Sequence, residues 1–543
     1  MIEGLQYCRR MLLECLLVVS ITFGLGACSD QAPTGQMIVG IEAEPERFDP
    51  LTMKNPKNFI VSWQIFEGLV GLDDGGRVAP AIAEKWESAD NVTWRFHVRK
   101  DATFHASEMF GTPARSRAVT ADDVVASYTA FCSATAYPAF LLTDSIRGCA
   151  EYNAGKAQSV EGVKAVDEST VEIRLLKSEP FFLNRLTTAW IAIFPKEQMA
   201  PKYDATRGLS FAVGTGPFRM VSRSSSEIIL ERNPEYWDKG TTGAVSRLVY
   251  RVITSNEARL AELRKGGIDL MIVPPGQYPS VLEQSGTLKA DYAKNMRTKP
   301  YSTLNSHMLG INNTKVSDVH LRRAMSFGVD RRLIAQKLLY GYADATNGAV
   351  PPGANGYQPP FDINALHSPA MAREELSKSS YKGDAIELIV HEQAGSEQIG
   401  QIFQDQMKGL GINIKLTKLD FNSAIGRMVK GDAPMFSMFF DYVISSPEPI
   451  LINLFSSAKR PVPNFWQFSD PAIDAELEAL RMMAPREAVR QSAEIERRIM
   501  EQVPSVFLFR LKQVALYSNR FGELAINPHG HFRFNSLALS GKS

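Results

Sequence analysis

Gly214-Thr215-Gly216-Pro217-Phe218-Arg219-Met220-Val221 opens a stretch that continues through Ser224-Ser225-Ser226 and Ile228-Ile229-Leu230 to Arg232-Asn233-Pro234-Glu235-Tyr236-Trp237. The two glycines around Thr215 permit backbone conformations closed to other residues, and Pro217 leads into a strand over 218–221. The serine triplet is a polar turn, so 218–221 and 228–230 are expected to pair as a hairpin. Pro234 pushes Asn233 out of the helical region and closes the unit with a second turn.

Strands and helices alternate on both sides of this unit. Toward the N-terminus, 37–41 reads as a buried strand and 59–69 carries apolar residues at helical spacing. Residues 92–98 alternate, with Val92, Trp94, Phe96 and Val98 inward, and 170–175 alternate again. Thr120 caps a helix in which Asp123 completes a capping box. Toward the C-terminus, 256–265 reads as a helix and 268–273 as a buried strand that Pro274-Pro275-Gly276 breaks. Ser317 caps a helix reaching Phe327, with Leu321, Ala324 and Met325 inward and Arg322 and Arg323 outward. Asp330 caps another, with Leu333, Ile334, Lys337 and Leu338 on one stripe and Gly341 at its end. Strands at 386–390, 412–416 and 506–509 interleave with helices at 399–410, from Asp470-Pro471, and at 486–502. This alternation predicts an α/β or α+β fold of several layers.

Apolar content of 44% and charged content of 22% are ordinary for a globular chain, and a net charge of +1 gives no field that would gather nucleic acid. Arg9-Arg10, the apolar run 11–23 and Leu25-Gly26-Ala27-Cys28 form an export signal with small residues before a cysteine. The run 11–27 carries Glu14 and falls short of the roughly 20 apolar residues that a spanning helix needs. The pattern resembles a bacterial lipobox. The expectation is a signal peptide over 1–27, lipidation of Cys28 and a polar tether over 28–36. The rest of the chain is then soluble apart from its anchor, placed in the periplasm or cell envelope and held to a membrane through the lipid. Cys132 and Cys149, 17 positions apart, remain in the mature chain of an exported protein and are expected to form one disulfide. No G-x-S-x-G, H-E-x-x-H or C-x-x-C is present, so neither an enzyme, a metal site nor a cofactor is expected. His391-Glu392-Gln393 is no zinc motif because Gly395 stands four positions after His391. His529-Gly530-His531 reads as a surface loop.

Several strings then resemble one family in order. They are Phe48-Asp49-Pro50 with Ile65-Phe66-Glu67-Gly68-Leu69, Ala79-Pro80-Ala81-Ile82-Ala83-Glu84-Lys85-Trp86, and Val119-Thr120-Ala121-Asp122-Asp123-Val124. The glycine-framed and Asn-Pro strings already quoted follow, then Leu321-Arg322-Arg323-Ala324 with Val329-Asp330-Arg331. Together they resemble the extracellular solute-binding proteins of peptide and nickel ABC importers, family 5, over about 37–540. The segment 106–117 departs from that pattern as an insertion.

The resemblance implies an α/β, two-lobed periplasmic-binding-protein fold of the large, peptide-binding type, with an extra sublobe in the first lobe. Lobe I would comprise 37–69, 205–273 and 506–543, its sublobe 70–204, and lobe II 274–505, with the strands at 268–273 and 506–509 crossing between lobes. The implied function is capture of a peptide or peptide-like small solute by a monomeric lipoprotein that delivers it to an ABC-importer permease. An exported hydrolase, or a lipoprotein that senses without transport, is the alternative. One cleft wall falls on Lys54, Asn55 and Pro56, and the other on Asp441, Tyr442, Val443 and the positions up to Pro449. The family's aspartate for a peptide ammonium falls on Ser445, which carries no charge, so Asp441, Glu448 or Glu392 would have to compensate. His391 and Glu392 are further ligand candidates.

Overall fold

A computed structural model describes residues 35–45, 49–53, 59–199, 212–241, 243–354, 357–392, 395–442, 444 and 446–541. Candidates Cys28, Lys54, Asn55, Pro56, Val443 and Ser445 lie outside these residues.

β1 (Gln36–Ile41) enters a large sheet whose other strands come from much later in the chain. The segment after it folds separately. There β2 (Val70–Leu72) pairs with β3 (Val78–Pro80). β4 (Ala83–Glu87), β5 (Thr93–Val98), β8 (Val163–Ala165) and β9 (Thr170–Arg174) form an antiparallel sheet in the order β4-β5-β9-β8. β5 buries Trp94, Phe96 and Val98, as its alternation predicts, against Phe131, Phe182 and Phe194. The insertion is a hairpin of β6 (Thr103–Ser107) and β7 (Arg115–Ala118). Arg117 fastens it to Asp123 at 2.6 Å and Glu197 at 2.7 Å. The helix Ala121–Phe131 starts with the expected capping box of Thr120 and Asp123. Cys132, at its end, is disulfide-bonded to Cys149, and both are fully buried.

The large sheet continues with β10 (Phe218–Arg223), β11 (Glu227–Arg232) and β12 (Arg247–Val252) as an antiparallel meander, the first pair being the expected hairpin. β13 (Leu270–Val273) lies parallel to β1. β14 (Met296–Ser302) and β15 (Asn305–Ile311) follow one another along the 14-residue β20 (Ser505–Ser518), both antiparallel to it, and β16 (Ala343–Ala345) also pairs with β20. β17 (Ile386–Val390), β18 (Ile414–Lys418) and β19 (Met435–Asp441) run parallel to one another. The described strands thus read β10-β11-β12-β1-β13-β20-β15-β19-β17-β18, with separate cores at the two ends of the sheet.

Some expectations give way to tertiary packing. The first helix is Phe59–Ile65 and stops short of Leu69. Gly68 there sits where a Cβ would come within 2.7 Å of the Ile191 carbonyl oxygen, so this stretch is shaped by close packing rather than by helical period. Asp318, not Ser317, caps the helix Val319–Gly328 by accepting from the amides of His320 and Leu321. Arg322 is buried, not outward, because its guanidinium donates to the carbonyls of Val316, Ser317, Gln502 and Val503. In the helix Arg331–Leu339, Ile334, Ala335 and Leu339 are buried while Leu333 is exposed. The strand that accompanies β20 through the middle of the molecule is β14 continuing into β15; β13 ends at Val273, where Pro274 and Pro275 have no amide to extend a ladder.

Candidate functional site

Strand direction places the site. β20 is antiparallel to β13 and to β15, and β15 is antiparallel to β19. β1 and β13 therefore run one way, and β17, β18 and β19 the other. Their carboxyl ends face one another where β20 exchanges β13 for β15 and β16 as neighbours. In open α/β sheets, the crevice beyond the carboxyl ends of parallel strands is where ligands bind. The ladder is irregular there, and the Asn305 side chain bridges it. Asn305 Nδ2 donates to the Leu511 carbonyl at 3.0 Å, and its Oδ1 accepts from the Leu511 amide at 2.8 Å.

Two cavities open at this crossing. The first, of about 560 Å³, is lined by the ends of β1 and β13 and the middle of β20, including Glu42, Thr52, Arg259, Pro274, Tyr278 and Gln513. Tyr301 Oη donates to Gln513 Oε1 at 2.7 Å, and Tyr278 Oη donates to the Lys512 carbonyl at 3.1 Å, which fixes this wall. Burial holds the Arg259 guanidinium below its usual range. The second cavity, of about 410 Å³, lies at the end of β19 between the segment 140–185 and the helix Pro447–Phe455. Asp441, Tyr442 and Glu448 line it together. Asp441 is open to solvent on one side, yet desolvation by the surrounding walls raises its carboxyl to about 6. Burial raises Glu448 to about 7 against the pull of Arg481.

The remaining candidates separate. His391 follows β17 as a buried ring packed edge-on against Phe421 at 5.2 Å, and burial lowers its pKa. Glu392 beside it is exposed, and neither residue lines either cavity. His529 and His531 are half-buried in the turn that the Ile526–Phe532 bridge closes; His531 stacks on Trp63 at 5.2 Å, and burial lowers its pKa to about 3. Among the described residues no three His, Cys, Asp or Glu side chains converge as metal ligands. The sequence reading missed Glu42, Arg259, Tyr278 and Gln513 in the first cavity and Arg185 and Arg481 in the second. Pro274-Pro275 after a buried strand was the usable signal, because it marks the carboxyl end of β13.

The quoted strings converge elsewhere. Glu67 accepts from Thr215 Oγ1 at 2.9 Å, from Tyr236 Oη at 2.9 Å and from Trp237 Nε1 at 3.1 Å. Arg99 covers the Trp237 ring at 3.6 Å. Three separated strings thus meet at one carboxylate, which lines neither of these two cavities.

Residues 77–461 match the family described as "Bacterial extracellular solute-binding proteins, family 5 Middle". The chain is 31% identical to the periplasmic oligopeptide-binding protein OppA of Salmonella typhimurium over 60% of its length and 56% of that protein. It is 27% identical to the periplasmic murein peptide-binding protein MppA of Escherichia coli over 90% of its length and 91% of that protein. The unliganded open form of MppA superposes with a TM-score of 0.79 at 23% identity, covering 94% of this chain and 98% of that one, so the fold is the two-lobed fold of periplasmic binding proteins. The chain is a member of the family 5 bacterial extracellular solute-binding proteins.

Proposed function

We propose that the protein is the substrate-binding component of an ABC importer, which encloses a peptide or peptide-like solute between two lobes and delivers it to a membrane permease. The observation that carries this reading is the pair of cavities at the opposed strand ends, the first against β20 and the ends of β1 and β13, the second at the end of β19. A solute touching both walls favours the closed arrangement by its differential contacts, and no bond need be made or broken. Relatives named for oligopeptides and murein peptides support a peptide-like ligand.

We place lobe I at 37–69, 205–273 and 506–543, its sublobe at 70–204 and lobe II at 274–505, with β14–β15 and β20 as the hinge ribbon. Export, with lipid attachment at Cys28 to an envelope membrane, completes the reading; no described helix is long and apolar enough to cross a membrane. The test is mass spectrometry of solute retained by the purified protein, together with X-ray scattering before and after that solute is restored. A retained small solute and a smaller radius of gyration on binding are expected. Conversion of the solute to a product, or an unchanged profile at saturation, would overturn the proposal.

A further inference from the structure

The first cavity has an apolar floor that the fold leaves partly uncovered. β1 and β13 run side by side with Val39 opposite Leu270, and the same register sets Ile41 beside Ile272 on the same face. Val39 and Leu270 are fully buried, whereas Ile41 and Ile272, two positions further along, are half-buried and line the cavity together with Ile60 and Leu511. The core around Val39 and Leu270 thus continues through Ile41, Ile60 and Ile272 to the cavity wall. The polar side chains of the same lining are tied to the fold. Glu44 pairs with Arg223 at 2.9 Å, and Thr52 Oγ1 donates to Asp49. Arg259 donates to the Ile253 carbonyl and, at 3.2 Å, to that of Thr254. Tyr278 Oη is spent on the Lys512 carbonyl, and Gln513 Oε1 on Tyr301.

Resting on the reading of this cleft as a solute site, we propose that the first cavity receives a bulky apolar group of the bound solute, an aromatic or branched aliphatic side chain. The shelf of Ile41, Ile60, Ile272 and Leu511 then selects which solutes are held. A contiguous apolar surface left open in a cavity of about 560 Å³ is covered at a gain by an apolar group, which removes both surfaces from water. That volume lies within the range of small-molecule sites and has room for a large side chain. A charged or strongly polar group seated on the shelf would lose its water without finding donors or acceptors there, because those of the lining are engaged. Selection at this wall therefore acts through size and apolarity, not through charge.

The test exposes wild type, Ile272→Asn and Ile60→Asn to two tripeptide libraries and reads capture by native mass spectrometry. One library is built from Gly, Ala and Ser; the other carries Leu, Phe or Trp at one position of the same background. Wild type is expected to prefer the second library at least about tenfold, and a variant that melts like wild type to lose that preference. Equal capture of both libraries by wild type overturns the assignment whether or not the variants fold, and so does a preference retained by a folded variant. Should neither variant fold, calorimetry of wild type decides. A captured Leu, Phe or Trp peptide is expected to bind with a more negative heat-capacity change than its Ala counterpart, and an equal change overturns the assignment. Capture of neither library overturns the peptide reading of the site; the solute retained by wild type then decides the assignment separately. An aromatic or branched aliphatic group in that solute supports the role of the shelf, and a wholly polar solute overturns it.

Discussion

A single carboxylate, Glu67, closes the contact between three strings far apart in sequence, and desolvation raises it to about 7 despite donors from Thr215, Trp237 and Tyr236. Glu67→Ala would leave those donors without their partner, and we expect a loss of at least about 2 kcal/mol in urea unfolding. Glu496 is a second buried acid, 1% exposed, accepting from the Val350 amide at 2.9 Å, and burial raises it to about 8. Its folded pKa lies above its unfolded one, so the native state holds the extra proton. The resulting stability is present in full below the unfolded carboxyl range and is lost as pH rises through about 8. The melting temperature should therefore fall as pH rises from the unfolded carboxyl range to about 8, and Glu496→Gln should flatten that fall. An unaltered slope in the variant would show that another group carries it. At this scale His307 and His391 behave alike. Burial holds His307 at about 3, between Phe439 and Phe509, so its imidazole is neutral packing matter at ordinary pH.

Among the elements, the glycine-framed turn before β10 is set by space more than by dihedral angle. A Cβ on Gly214 would stand 2.0 Å from the Ile65 carbonyl oxygen, and one on Gly216 would stand 2.5 Å from that of Gln64. Gly214→Ala and Gly216→Ala should each cost roughly 1–3 kcal/mol or more, read as a lower urea midpoint, because the obstacle is backbone that cannot rotate away. The turn also receives the β6–β7 hairpin, since the His105 amide donates to the Gly214 carbonyl at 2.8 Å and its Nε2 meets the Gly216 carbonyl at 2.9 Å. The insertion 106–117 is thus a hairpin that extends this contact. Asn305 has a comparable part in the ribbon, and Asn305→Leu should weaken solute affinity through hinge geometry while leaving both cavities lined as before. Titration of the retained solute against the variant, beside its scattering profile, would separate a hinge effect from lost contact.

For the molecule as a whole, the disulfide Cys132–Cys149 tests the export reading and the stability of the separate segment together. Replacing both cysteines by alanine should cost about 3 kcal/mol by the loop-entropy argument, and reduction with dithiothreitol should lower the melting temperature of wild type but not of the double variant. Much of the architecture was legible in advance. Period-two alternation marked β5 and β9, capping chemistry marked the helices at Ala121 and Arg331, and the serine turn marked the β10–β11 hairpin. These are local signals, written within a few residues. Arg322 and Leu333 were misread because burial depends on what packs from elsewhere, and Gly68 because its constraint is a distant carbonyl. The site was legible where it falls on one strand end, as at Asp441 and Tyr442, and illegible where distant segments meet, as with Arg185 and Arg481 or Glu42 and Gln513. The amino-acid order by itself determined the class, the alternating elements and the family, because each rests on short-range pattern. The tertiary structure alone decided which strand ends oppose one another and which charges share a cavity, because strand direction and burial come from contacts hundreds of residues apart.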